Sequence, residues 1–358
     1  RAIAELKGQN PAPAFFSEDD VADLYDRFNV VGDTGWFSPI PGYEVSLRSA
    51  GHMPGAAMIL IKFPDGKRWI HACDLQLATT ELTLGATIQE DFLNPDGMTI
   101  ESTYGARSRE LPERAAHEDE FEGHVRRGLA RGGFVLIPSF ATTGLNMAKR
   151  LARVGIPVKM DGALTKNCAD VYLSAEPWCP NDRPFSFNDL PTLSGVGDGG
   201  NKERYALLDG PPCAIVCSSG MIEGGPSVFY TKALAPALEP RNMIIITGYQ
   251  AEASQGRKLL ALQRGETITF TNEWINRRSG KLDRNSETVA VNAEVIRMQL
   301  SGHSDARVMA PWIVQINPKH VVTVHGDEES HQGMKEVIRE LNPRINVVPG
   351  SNGCELEF

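Results

Sequence analysis

Four short segments of this sequence put an imidazole or a carboxylate where an apolar run stops, three of them beside glycine. They are Ala50-Gly51-His52-Met53-Pro54-Gly55, Ala72-Cys73-Asp74, Ser301-Gly302-His303-Ser304-Asp305 and Val324-His325-Gly326-Asp327. Neutral imidazole and carboxylate are the donors that a borderline-soft cation such as Zn²⁺ accepts, and a strand end holds a ligand rigidly. Glycine next to a ligand lets backbone and substrate approach closely. One strand-end histidine is more often a satisfied structural residue than a ligand. It is the set of four, in this order, that points to a metal site.

Other residues of suitable chemistry read as structural. Asp305 follows His303 by two and is expected to cap the next helix. His71 lies three residues before Asp74 on the same strand, and so on the opposite face. His117 and His124 fall on a charged helix and are expected to be solvated, while His320 and His331 flank an apolar strand and a helix start. Cys73 is next to Asp74, but its side chain should point away from the face that Asp74 uses. Ser218-Ser219-Gly220 follows a strand and offers hydroxyls and open backbone suited to a phosphate oxygen. The bland reading of that segment is a strand-to-helix turn.

The elements that must position these groups follow two patterns. Ser17 before Glu18, Asp19 and Asp20 is a helix start, followed by Val21, Leu24 and Phe28 at helical spacing. Strands Ala57–Phe63 and Trp69–Asp74 are joined by the turn Pro64-Asp65-Gly66-Lys67. After Gly105 comes a charged helix over 113–131. Short apolar strands (133–138, 158–161, 214–217, 243–247) then alternate with helices (145–154, near 226–236, near 255–263), the pattern of βαβ units and a parallel sheet. A basic stretch with Arg277, Arg278, Lys281 and Arg284 reads as a long hairpin loop. The last section resembles the opening one again. It has a strand over 291–300, a helix with Met309, Trp312 and Ile313, and a strand over 321–325. A helix with Met334, Val337, Ile338 and Leu341 and a final strand pair over 347–358 close the chain. The layout suggests one domain interrupted by another, with residues 1–105 and 301–358 expected to form the first around an inserted 106–300.

Composition bounds the function. With 41% apolar and 23% charged residues the 358-residue chain is globular, and no apolar run reaches the ~18 residues of a membrane helix. The six cysteines form no CxxC pair, so they read as reduced buried thiols, which fits a cytoplasmic protein. The net charge of −9 (36 basic against 45 acidic side chains) means that any nucleic-acid contact must be local or helped by metal ions or a partner. The chain shows no signal peptide, and its start at Arg1 rather than Met leads to the expectation of a truncated, processed or split polypeptide.

Seven segments in order, SAGHMPGAA (49–57), IESTYGAR (100–107), IPSFATTG (137–144), SSGMIEGGP (218–226), TGYQAEASQG (247–256), LSGHSDA (300–306) and VHGDEES (324–330), resemble the successive signatures of β-CASP metallo-β-lactamase nucleases. That family includes bacterial ribonuclease J and the cleavage subunit of the mRNA 3′-end processing machinery. The resemblance runs from about residue 15 to the C-terminus. It implies an αββα metallo-β-lactamase sandwich with an inserted β-CASP α/β domain, and RNA hydrolysis with two zinc ions, Mn²⁺ being the alternative. It further implies that His52 and His325 are metal ligands, that Asp74 bridges the two ions, and that Glu101 and His303 form an acid pair in which the histidine protonates the leaving oxygen. In the family the segment of Ser218, Ser219 and Gly220 lies near the RNA path.

The sequence departs from that pattern at one place above all. The family's first signature, His-x-His-x-Asp-His, occurs nowhere in these 358 residues, and the sandwich is expected to be incomplete at its N-terminus. IPSFATTG also lacks the arginine common soon after the phenylalanine in relatives. Three readings follow: a nuclease whose remaining ligands come from a complementary segment or chain, a catalytically inactive scaffold or binding subunit, and a hydrolase of a non-RNA substrate. The survival of His52, Asp74, Glu101, His303 and His325 favours the first. RNA is the expected partner, a membrane is not, and homo-oligomerisation is left open.

Overall fold

The turn Pro64-Asp65-Gly66-Lys67 folds as its residues dictate. Gly66 adopts φ 86°, the Asp65 carboxylate accepts from the Lys67 N–H, and the Phe63 N–H bonds back to Lys67. It joins two strands at the middle of a seven-stranded sheet. The structure is a computed structural model that describes residues 15–31, 35–72, 74–174, 192–193, 198–239, 241–275, 279, 281–351, 353 and 355.

The first helix among the described residues, α1 (Glu18–Tyr25), has the expected start: Ser17 and Asp20 exchange capping hydrogen bonds. Strands β1 (Trp36–Phe37), β2 (Glu44–Ser49), β3 (Ala57–Lys62) and β4 (Arg68–Ala72) form an antiparallel run. Strand β5 (Gly97–Glu101) then pairs parallel to β4. Helix α2 (Arg114–Ala130) leads into a second sheet in which every pairing is parallel. Its elements are β6 (Val135–Pro138), α3 (Ala141–Arg153), β7 (Val158–Asp161), α4 (Ala163–Ser174), β8 (Thr192–Leu193), α5 (Asp198–Leu208), β9 (Ala214–Cys217), α6 (Pro226–Leu234), β10 (Met243–Ile246) and α7 (Gln255–Ala261). A hairpin, β11 (Thr267–Ile275) and β12 (Leu282–Ala290), precedes the edge strand β13 (Glu294–Arg297). The chain then returns to the first sheet with α8 (Ala306–Ile316), β14 (His320–Val324), α9 (Glu328–Leu341) and β15 (Asn346–Pro349).

The sheet orders are β1-β2-β3-β4-β5-β14-β15 and β13-β10-β6-β9-β7-β8. The parallel sheet is sandwiched. Val135, Ile137, Val216 and Ile245 face α2, α3 and α4, whereas Leu136, Ile215, Ile244 and Ile246 face α6 and α7. Strands buried on both faces need continuous apolar runs, which is why β6, β9 and β10 show no alternation. The seven-stranded sheet does alternate. Leu60, Ile70, Met98, Val321 and Val347 pack against Met309, Ile313, Met334 and Ile338 of α8 and α9. The opposite row, Leu47, Ile59, His71, Thr99, Val322 and Val348, is half-buried.

Several expectations need correction. His117 is not solvated: it is 8% exposed, its Nε2 accepts from the Gln299 N–H at 2.9 Å, and its Nδ1 lies 2.9 Å from Glu120. His124 is also largely buried and pairs with Glu120 at 3.5 Å. The strand expected over 291–300 is only Glu294–Arg297, because the N–H groups of Val291, Asn292 and Ala293 bond to the Glu266 and Ala235 carbonyls in a turn after β12. Arg284 belongs to β12, opposite Glu273, and not to a loop; Arg277 and Arg278 lie outside the described residues. At the end, Asn346–Pro349 is the one strand among the described residues, where a pair was expected. Cys168, Cys213 and Cys217 are free thiols, while Cys73, Cys179 and Cys354 lie outside the described residues. No described helix is long and apolar enough to cross a membrane.

Candidate metal centre

Asp74 follows the end of β4, Glu101 closes β5, and His325 follows β14. The pairing of these three strands places their C-terminal ends side by side. His52 sits in the loop after β2, and His303 in the loop before α8. The fold brings all five together. Ligand atoms of His52, Asp74 and His303 lie within 4.8 Å of one another, as do those of Asp74, Glu101 and His325. Asp74 is common to both groups.

Hydrogen bonds fix which ring nitrogen of each imidazole donates. His52 Nδ1 lies 2.8 Å from the carbonyl oxygen of Gly302, so Nδ1–H donates and Nε2 keeps its lone pair, 4.0 Å from an Asp74 oxygen. A backbone carbonyl behind a histidine is the usual way a ligand's tautomer and ring orientation are fixed. Gly302 permits the approach, since a Cβ there would stand 3.1 Å from the His52 ring. The Thr103 hydroxyl gives its one proton to Glu101 at 2.5 Å, so its oxygen accepts from His325 Nδ1–H at 2.8 Å and His325 Nε2 is left with a lone pair. His325 also adopts φ 55°, a left-handed backbone that costs a non-glycine residue of order 1–2 kcal/mol.

Glu101 is fully buried. It accepts from the Leu75 N–H (2.5 Å), from Thr103 (2.5 Å) and from His303 Nδ1, which lies 2.8 and 3.0 Å from its two oxygens. The contact expected between Glu101 and His303 is thus present. Burial works against a charged His303 ring, but the hydrogen bond to Glu101 and the charges of Glu101 and Asp74 outweigh it, and the net effect holds His303 above the ordinary imidazole value. His303 lies between two other rings, 4.7 Å from His52 and 6.1 Å from His325 by centroids.

The loop after β4 ties the centre to the second sheet. The Gln76 N–H bonds to the Ala50 carbonyl, the Thr83 hydroxyl to the Gly51 carbonyl, and the Leu77 N–H to the Ser304 hydroxyl, which anchors the loop to the residues before His52 and after His303. Between these anchors Leu82 is buried in the core of the parallel-sheet unit, and Glu81 is held by Lys149, Arg150 and Arg153 of α3. The cleft beside His52 and Gly302 is lined across the way by Thr142, Thr143 and Asn146 of α3.

The remaining site expectations fall elsewhere. Ser218, Ser219 and Gly220 form the turn between β9 and α6, with the Ser219 hydroxyl accepting from the Glu223 N–H at 3.0 Å. The turn packs on Phe140, not on the metal residues. Asp305 caps α8, accepting from the Val308 N–H. His331 is buried and lies within hydrogen-bonding distance of Ser102 and Thr323, as a structural histidine would. Sequence reasoning missed Thr103 and the Gly302 carbonyl. Nothing in their residue types marks them, because each acts through a partner more than two hundred residues away.

Comparison with known proteins bears on this geometry. Residues 145–259 match the Beta-Casp domain model, and residues 288–349, which include His303 and His325, match the model of the Zn-dependent metallo-hydrolase RNA specificity domain. The chain belongs to the β-CASP metallo-β-lactamase family. It is 34% identical over 331 residues to the transcription termination factor FttA of Methanocaldococcus jannaschii, covering 86% of this chain and 49% of that protein. It is 29% identical to FttA of Thermococcus kodakarensis (90% of this chain, 50% of the relative) and 28% identical to an RNase J-like protein of M. jannaschii (78% and 62%). The chain thus spans about half the length of the FttA proteins it matches. A crystal structure of a protein of unknown function from Enterococcus faecalis V583 shares the fold, with a TM-score of 0.54 at 14% identity over 98% of this chain and 71% of that one. A β-CASP protein of this family uses a zinc-type metal, and the imidazole and carboxylate donors gathered around Asp74 suit that ion.

Proposed function

We propose that this chain carries most of the active site of a two-zinc ribonuclease, and that a complementary segment completes it. The observation that carries the reading is the Glu101–His303 pair, buried and hydrogen-bonded, set against an aspartate shared by two potential donor groups. His52, Asp74 and His325 would hold the metals, with Asp74 common to both. Two bound ions stabilise the attacking and departing oxygens of an in-line phosphoryl displacement and lower the pKa of bound water. Glu101 keeps the imidazolium of His303 charged and fixes Nδ1, so that the proton on Nε2 is the one offered to the leaving oxygen. Gly302 and Thr103 hold His52 and His325 with their Nε2 lone pairs free.

RNA as the substrate is supported by the description of the matched RNA specificity domain and by the names of the relatives. A cytoplasmic location belongs to the same reading, as does the division into residues 1–105 with 301–358 and an inserted 106–300. Ser218, Ser219 and Gly220 are assigned to the RNA path at the C-terminal ends of the parallel strands. Mn²⁺ is the alternative ion, and a homo-oligomer is compatible with all of this.

The complementary segment follows from counting ligands. With Asp74 counted twice, each ion finds two protein ligands here, where catalytic zinc sites usually use three. The half-buried row from Leu47 to Val348 is the surface that an added β layer would cover. Zinc content by mass spectrometry and cleavage of a labelled RNA, with and without that segment, test the proposal. The isolated chain should hold zinc weakly and cut nothing; the completed protein should regain two metals and cleavage together. Two tight zinc ions with full activity in the isolated chain would refute the need for a segment. A completed, metal-loaded protein that leaves RNA intact would refute the ribonuclease reading.

A further inference from the structure

Phe140 is the N-cap of α3, yet its side chain makes no capping hydrogen bond. N-caps favour Ser, Thr, Asp or Asn because these accept from a helical N–H, and a phenyl ring cannot. Core packing does not explain it either. Phe140 is 44% exposed, whereas Phe92 and Phe121 are fully buried. The exposed ring is nevertheless seated. A Cβ placed on Gly248 would stand 3.2 Å from the ring, and one on Gly220 3.3 Å from it. Two glycine backbones, from the turns after β10 and β9, therefore seat the Cδ2–Cε2 edge of the ring, and the residue stays open to solvent elsewhere.

The surroundings connect this ring to the candidate metal centre. Thr142 and Thr143, the next residues but one and two along α3, line the same cleft as His52 and Gly302. Tyr249, beside Gly248, is 65% exposed. Two exposed aromatic residues thus come from adjacent turns, and Phe140 stands two residues before the cleft-lining Thr142. An RNA strand that presents a phosphodiester to the metals must put its bases to the sides, and aromatic faces take bases of any sequence. In a chain of net charge −9, stacking also supplies affinity that bulk charge does not.

We propose that Phe140 is a stacking platform for a nucleobase of single-stranded RNA, with Tyr249 as a second aromatic surface on the same path. The proposal rests on the ribonuclease reading and adds to it a specific subsite. The test measures binding apart from cleavage: fluorescence anisotropy of a short labelled single-stranded RNA with the full chain, in the presence of the complementary segment. Phe140→Leu, which keeps an apolar side chain against the two glycines, should weaken binding roughly fivefold or more, the lower end of what one base–aromatic contact is worth. Phe140→Tyr should bind as the parent does. With an oligonucleotide carrying abasic sites, the parent and Phe140→Leu should bind alike. Equal binding of normal RNA by the parent and a folded Phe140→Leu would overturn the platform while leaving the ribonuclease reading in place. A parent protein that binds no RNA would overturn both.

Discussion

In the parallel sheet, Leu136 and Ile137 are consecutive and both fully buried, because helices pack on each face. In the seven-stranded sheet, Leu60 is fully buried but its neighbour Ile59 is only half so, because α8 and α9 cover one face. The candidate metal residues all belong to this asymmetric sheet and its loops. The parallel sheet holds together by its own core and adds the far wall of the cleft. The difference separates two tasks. One unit is a support covered on both faces, while the other keeps a half-buried face, which in the function proposed above is where a complementary segment would pack.

The largest expected effect lies at the centre itself. In the completed protein, His303→Ala should lower RNA cleavage by roughly 10²–10⁴, the usual worth of a general acid, with metal content nearly unchanged. Loss of zinc from that variant, measured by mass spectrometry, would make His303 a ligand and overturn its role as acid.

The two faces of the seven-stranded sheet give the next contrast. Leu60→Ala should cost about 2–5 kcal/mol in urea unfolding, as a buried leucine does. Ile59→Ser in the isolated chain should cost well under that, and its cost should rise once the complementary segment is present. Equal costs at the two positions would mean that the faces are equally covered.

Leu82→Ala tests whether the two units are independent. Leu82 is carried by a loop of the seven-stranded unit and buried in the core of the parallel-sheet unit. A loss of about 2–5 kcal/mol is expected, together with weaker zinc binding in the completed protein, because the same loop grips the backbone before His52. Unchanged zinc affinity would confine Leu82 to ordinary packing.

The smallest effect should be at Asp327, which caps α9 and pairs with Arg109. The Arg109 hydrogen bond, then that of the Ser330 N–H, holds its carboxyl down to about 2. A depressed folded value stabilises above the unfolded one near 3.9 and is lost as the pH falls toward 2. Asp327→Asn keeps a good cap and removes the charge. The pair is exposed, so the variant should lose less than about 1 kcal/mol at neutral pH, and the difference from the parent should vanish in urea titrations near pH 2.

Much of this molecule was legible in its sequence for local reasons. The capping box at Ser17 and the turn at Gly66 are set within a few residues. The unbroken apolar runs of β6, β9 and β10 require burial on both faces, so a parallel sheet could be inferred from them. The strand-end positions of His52, Asp74, Glu101, His303 and His325 came from ordered motifs. Other features depended on partners remote in the chain. His117 looked like a surface residue of a charged helix until Gln299, 182 positions away, was found bonded to it. Thr103 and Gly302 have no distinguishing chemistry of their own; the pairing of β5 with β14 brings Thr103 against His325, and the meeting of the loops after β2 and before α8 brings Gly302 against His52. Phe140 was part of a recognised segment, but its exposed ring resting on Gly220 and Gly248 exists only because three parallel strands end together. Local hydrogen bonding and hydrophobic periodicity act over a few residues and can be read in one dimension. The protonation of the imidazoles, the shape of the cleft and the coupling through Leu82 arise from contacts between segments far apart in sequence, and packing alone decided them.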